Sequence, residues 1–301
     1  MSRAPAIAMI AAAVAVAAGC GNSSSSTSSA GSQSPAVVLS QASAAAKKQS
    51  SVGFNIKLQV QLHGTLKNAG SAAMFLHGPL GLALSGHTTN GGAGTPTKAD
   101  IHFVVNFTGG AVSGEVRAPG GKTAYITAPT LLGPGWHSFP ISSASKLGAG
   151  GATGGSSMLK TINPAHLLGN LKVTTSGDTD TVSGQVQVRR LLTTVLPLAG
   201  SSVTGAERAQ LSAVASSFKT AQGSLSVDRS THLPSAFNAQ LKLVFAHVLS
   251  QSMDGLQGFD LNVTSTFSDW GKSFTVTAPP NATPLQLNGL GSAISSGGGS
   301  A

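Results

Sequence analysis

The chain predicts an α+β protein, a large curved antiparallel sheet with a few helices laid against one face. Apolar residues alternate with polar ones over one segment after another, the signature of half-buried strands. Helical patterning is confined to short patches between those segments. Charged residues are only 9% of the chain and glycine, serine and threonine abound, which suits a turn-rich exported β protein.

The elements follow in order. VVLSQASAAAKKQ, Val37 to Gln49, is alanine-rich, with its first apolar residues on one helical face. In GFNIKLQVQLHG, Phe54, Ile56, Leu58, Val60 and Leu62 alternate with Asn55, Lys57, Gln59, Gln61 and His63. One face of that strand is apolar and the other wet. ADIHFVVNF repeats the pattern through Ile101, Phe103, Val105 and Phe107, and VSGQVQV through Val182, Gly184, Val186 and Val188. AQLKLVF adds Leu241, Leu243 and Phe245; GFDLNVTSTF adds Phe259, Leu261 and Val263. GKSFTVTAP, with Phe274 and Val276 facing together, is expected to close the sheet. Helical patches are expected at Ile141 to Lys146, Ser157 to Ile162, Pro164 to Leu168 and Thr204 to Phe218. In the last, Thr204 and Glu207 suit a capping box, and Leu211, Val214 and Phe218 form an apolar stripe. Gly/Ser-rich breaks at Ser85 to Pro96 and Gly148 to Ser157 read as loops. No internal repeat is visible, so residues 35–284 read as one domain and 285–301 as a low-complexity tail.

The N-terminus reads as an export signal. Arg3 precedes a short apolar run, Ala4 to Ala18, that is too short to span a bilayer. Ala17-Ala18-Gly19-Cys20 resembles a lipobox, in which the thiol is acylated and cleavage falls before Cys20, so residues 1–19 form a lipoprotein signal peptide. The chain has no second cysteine with which Cys20 could form an internal disulfide. Residues 20–34 then make a lipidated cysteine and a serine-rich flexible tether. Two or three acyl chains, at about 0.8 kcal/mol per buried methylene, hold a protein stably on a membrane. The expected location is the extracytoplasmic face of the cell membrane.

Composition narrows the function. Without Arg3 the mature chain carries 17 Lys and Arg against 9 Asp and Glu, a net charge of about +8. These cations are scattered, and one tyrosine and two tryptophans offer few stacking platforms, which argues against nucleic acid. A basic surface suits anionic lipid head groups instead. Gly120-Gly121-Lys122-Thr123 ends like a phosphate-binding loop, but Val116 stands where its first glycine must be, so a hairpin turn is expected. The eight histidines are far apart in sequence, without helical metal-site spacing. Asp178 and Asp180 fall in a polar turn and read as solvated. No nucleophile elbow occurs. The expectation is therefore no enzyme, no catalytic residue, no cofactor and no metal.

YITAPT followed by WHSF (Tyr125 to Phe139), INPAHLLGNL (Ile162 to Leu171), GDTDTVSGQVQV (Gly177 to Val188) and FSDWGKSFTVTAPP (Phe267 to Pro280) occur in that order behind the lipobox. Together they resemble the mycobacterial LppX/LprG family of envelope lipoproteins, over most of residues 35–281. The resemblance implies a half-barrel like the LolA and LolB lipoprotein carriers, whose helices roof a concave apolar cavity for acyl chains. It implies a carrier of acylated lipids or lipoglycans across the envelope, with a multi-acyl lipid or lipoglycan as ligand and a membrane transporter as candidate partner.

The residues alone leave two arrangements open. Helices bearing Leu159, Ile162, Leu167, Leu168, Leu211, Val214 and Phe218 can fill the apolar face, or bridge it and leave a cavity. The cavity lining would then comprise Phe54, Ile56, Leu58, Val60, Leu62, Phe103, Val105, Phe107, Val186, Val188, Leu211, Val214, Phe218, Leu243 and Phe245. A filled core would suit a structural or adaptor lipoprotein. Trp270 is expected to cap a hairpin turn by packing on the sheet, and Trp136 with Phe139 to plug one end.

Overall fold

A computed structural model describes residues 33–64, 78–89, 98–141, 168–188, 218–244 and 256–285. Cys20, Leu211, Val214 and Phe245 lie outside the described residues, as do the four later helical patches apart from Ile141, Leu168 and Phe218 at their ends.

Helix α1 spans Pro35–Lys48. The Ser34 hydroxyl accepts the Val37 amide at 3.4 Å, Pro35 supplies a helical φ at the first turn, and Lys47 and Lys48 sit at the negative end of the dipole. The strands are β1 Ser51–Gly64, β2 Leu80–Thr89, β3 Lys98–Phe107, β4 Gly110–Pro119 and β5 Thr123–Thr127. A single-turn helix, α2 (Pro129–Leu132), leads into β6 His137–Pro140. The second half supplies β7 Leu168–Ser176, β8 Thr179–Val186, β9 Phe218–Asp228, β10 Pro234–Val244, β11 Leu256–Ser268 and the two-residue β12 Thr283–Pro284.

All join one sheet in the order β12-β6-β5-β4-β3-β2-β1-β11-β10-β9-β8-β7. It is antiparallel throughout except where β12 runs parallel to β6. The order describes two meanders, β1 to β6 and β7 to β11, zipped together by β1 against β11 from Gly53↔Ser268 to Gly64↔Leu256. Tight turns build the meanders. Gly109, at φ 98°, supplies the left-handed residue between β3 and β4 that other residues adopt at a cost. Gly120-Gly121-Lys122 joins β4 to β5, a hairpin turn as expected.

Because successive side chains alternate in direction, register decides what shares a face. Val112, Val105, Leu82, Leu58, Val263, Ala239, Gly223 and Gly184 are consecutive partners across eight strands. The neighbouring row runs Gly114, Phe103, Leu84, Ile56, Ser265, Phe237, Leu225, Val182 and Val173. One face of the sheet is therefore apolar across nearly its full width. Helix α1 packs on its β7–β9 end, Val38, Leu39 and Ala42 clustering with Val182, Leu225 and Val227. Each valine or leucine in that cluster contributes about 1.5–3 kcal/mol when fully buried.

Three expectations need correction. Ser85 to Thr89 is not loop but the end of β2, paired with Asn55 to Ser51; partners on both sides outweigh a glycine-rich composition. Lys272 to Pro279 forms no strand. Val276 is buried there, the Phe274 ring lies 5.6 Å from His87, and the run ends at Pro279-Pro280, where two residues lack an amide donor. Asp180 is not solvated. Its register places it on the apolar face opposite Val227, where it is 8% exposed.

Candidate ligand-binding face

The predicted lining side chains described on β1, β3, β8 and β10 converge on the apolar face. Phe54, Ile56, Leu58, Val60 and Leu62 on β1 oppose Phe267, Ser265, Val263, Leu261 and Phe259 on β11. Phe103 and Val105 on β3 pair with Leu84 and Leu82 on β2, and Phe107 with Gly110 on β4. Leu243 on β10 lies opposite Phe259, and Phe218 opens β9 as its partner on the other side. Val186 ends β8 opposite Leu168, and Val188 just beyond it joins the same central cluster.

Their burial differs. Leu58, Val188 and Leu243 are buried, whereas Phe54, Ile56, Val60, Leu62, Phe103, Val105, Phe107 and Val186 are half-buried. Packing concentrates in a centre around Leu58, Leu241, Leu261 and Val263 and in a second cluster around Ile101, Ala124 and Phe139. Phe139 is thus a core residue of the β5–β6 end. Trp136 is half-buried, with the Arg117 guanidinium 4.8 Å from its ring centroid. Sequence reasoning missed Leu80, Leu82 and Leu84, although LGLAL carries the period-two signal. It also missed Val112, Val116 and Phe237, whose alternation is diluted by Gly114, Ala118 and Ala239.

Among the described residues, two buried polar side chains interrupt the apolar face. The Ser265 side chain is fully buried between Ile56 and Phe237, and its hydroxyl has no hydrogen-bond partner among the described residues. At the rim, Asp180 accepts the Thr175 hydroxyl at 2.6 Å and lies 3.8 Å from Arg229 Nε.

The opposite face carries the charges. Register places His102 beside Glu115 and Asp100 beside Arg117. Arg117 Nε donates to Glu115 and lies 3.8 Å from Asp100, and His102 Nδ1 is 3.7 Å from Glu115. Asp100, His102 and Glu115 offer ligand atoms within 4.8 Å of one another, a grouping that strand pairing creates from residues scattered in sequence. Arg117 already supplies the positive charge there, so the group reads as an ion-pair cluster. Farther along the same face an open groove of about 480 Å³ crosses β7 to β10, lined by polar side chains including Asn170, Gln185, Gln222, Ser224, Asn238 and Gln240. No helix among the described residues is long and apolar enough to cross a membrane.

No family model and no curated protein matches the chain. Among solved structures it is similar to a beta-barrel-like protein of a domain of unknown function from Brucella abortus. That likeness has 10% sequence identity, covers 75% of this chain and 98% of the other, and has a TM-score of 0.16.

Proposed function

We propose that this protein is a membrane-anchored lipid carrier that takes the acyl chains of a multi-acyl lipid or lipoglycan against the apolar face of its sheet. Cys20 anchors it at the outer side of the plasma membrane, and the serine-rich tether lets the sheet leave the bilayer surface. The observation that carries the reading is the row from Val112 to Gly184, eight strands wide and without a charged or hydrogen-bonding side chain. A ligand held there gains roughly 25 cal/mol per Å² of apolar surface removed from water. That gain depends little on any one residue, so a carrier of this kind works without a catalytic constellation. The half-buried Phe54, Val60, Phe103, Val105 and Phe107 supply the lining, with aromatic bulk at intervals along it.

A second reading has its own support. Val38, Leu39 and Ala42 of α1 already cover the β8–β9 end of the face. Were the rest covered in the same way, the core would be filled and the protein would serve as an adaptor for other envelope proteins.

One experiment separates the two. The full chain carrying Cys20→Ser, which removes the covalent acyl group, is purified from a related host without detergent and extracted with organic solvent. A stoichiometric lipid in the extract, lost when Val60→Trp or Val105→Trp is introduced into a still-folded protein, supports the carrier. An empty, stable protein supports the filled core and overturns the carrier.

A further inference from the structure

We infer that the polar face of the sheet, across β7 to β10, binds an extended neutral glycan of β-1,4-linked hexopyranose units. This site lies on the side opposite the apolar face and is independent of the lipid reading.

The inference starts from register. Gln185, Gln222, Gln240, Asn262 and Gln59 are consecutive partners on β8, β9, β10, β11 and β1. Five side-chain amides therefore stand in one line perpendicular to the strands, and all five residues are exposed. Neighbouring strands are about 4.8 Å apart, so the amides repeat at nearly the length of one pyranose unit in an extended β-1,4-linked chain. Beside them a second row, Ser183, Ser224, Asn238 and Thr264, adds hydroxyls and another amide.

Hydrogen-bonding capacity is left over. Asn170 donates to Gln185 at 3.0 Å across the β7 bulge. The side chains of Gln222, Gln240, Asn262 and Gln59 make no such bond among the described residues, so each offers two donors and an acceptor to a ligand. A sugar hydroxyl also donates and accepts, which makes amides its natural complement. The floor of the groove is the backbone at Gly184, Gly223 and Ala239, whose side-chain positions face the apolar side, and Asn and Gln side chains form its walls. Lys172 is the single charged residue of the lining, which disfavours a strongly anionic ligand that would need several cations. Without an aromatic platform in the lining, affinity rests on hydrogen bonds that replace water, and a millimolar dissociation constant is expected.

The test uses the full chain with Cys20→Ser, isotope-labelled, titrated with chitohexaose and followed by NMR. Support is a saturable shift of the side-chain amide signals of Gln185, Gln222 and Gln240, with the signals of Leu58 and Val263 unmoved. Gln222→Ala combined with Gln240→Ala should weaken binding about tenfold while leaving the melting temperature and any lipid content unchanged. Absence of a saturable shift, shifts confined to other surfaces, or wild-type affinity in the double variant would each overturn the assignment. Should the double variant fail to fold, the wild-type shift map decides alone.

Discussion

The Phe103 ring lies over Gly114, its partner across the β3–β4 ladder, and fills the space where that residue has no side chain. A Cβ built at Gly114 would stand 2.3 Å from Phe103 Cζ and 2.3 Å from the Thr127 carbonyl oxygen. The ring could swing aside; the carbonyl belongs to the backbone and cannot do so cheaply. Gly114→Ala should therefore destabilise the protein by about 1–3 kcal/mol through overpacking. Thermal denaturation measures the loss, and a melting temperature equal to the parent's would contradict it. Since Phe103 belongs to the proposed lining, the variant should also carry less lipid.

Asp180 and Ser265 are both buried polar residues on the apolar face, yet opposite outcomes are expected. Asp180→Ala strands the Thr175 hydroxyl and leaves Arg229 without its carboxylate, at a cost of about 1–3 kcal/mol. Asp180→Asn keeps an acceptor for Thr175 and should lose less. Denaturant midpoints of the two variants give the comparison, and equal losses would show that the hydrogen bond to Thr175 contributes little.

Ser265→Ala removes a hydroxyl that has no partner among the described residues. Its folded state sheds an unsatisfied polar group, so stability should be unchanged or rise by up to about 1 kcal/mol. A fall of more than that in chemical denaturation would reveal that the hydroxyl is bonded in solution, for instance to a buried water.

Acid should loosen the turns at one end of the sheet. Asp228 accepts from the Ser230 hydroxyl at 2.7 Å and from the Thr231 amide and hydroxyl at 2.8 Å each. These bonds lower its pKa from the ordinary 3.8 to about 2. Asp269 is likewise lowered to about 2, chiefly by Lys272 at 2.7 Å, then by His87 and Ser268. Both carboxyls thus have folded values below their unfolded ones. Their stabilising contribution is present above about pH 4 and disappears as pH falls from about 4 to about 2. Thermal melts across that window should show a falling midpoint, and Asp228→Asn with Asp269→Asn should flatten the slope. A slope as steep in the double variant would place the acid sensitivity elsewhere.

Much of this fold is legible in the chain. Alternation along β1, β3, β8 and β10 assigns Phe54, Ile56, Leu58, Val60, Leu62, Phe103, Val105, Phe107, Val186 and Leu243 to one face before any pairing is known. Helix α1 is legible too, because Ser34, Pro35 and the terminal lysines are local signals that act within one turn. Legibility fails where the deciding partner is distant. Ser85 to Thr89 reads as a glycine-rich loop until β1 and β3 flank it, and Asp180 reads as a turn residue until Val227, Thr175 and Arg229 surround it. The run from Lys272 carries a strand's alternation, yet no strand pairs with it.

The sequence by itself determined the composition of each face, since side-chain period two is a property of any extended chain. It also set the signals of the N-terminus and the helix that follows. Only the tertiary structure decided which residues stand side by side. The join of β1 to β11 aligns two meanders into continuous apolar and polar rows. It brings Gln59 into line with Gln185 and sets Phe103 and Val186 on one surface. Register is a relation between segments remote in sequence, fixed by burying one face of every strand at once.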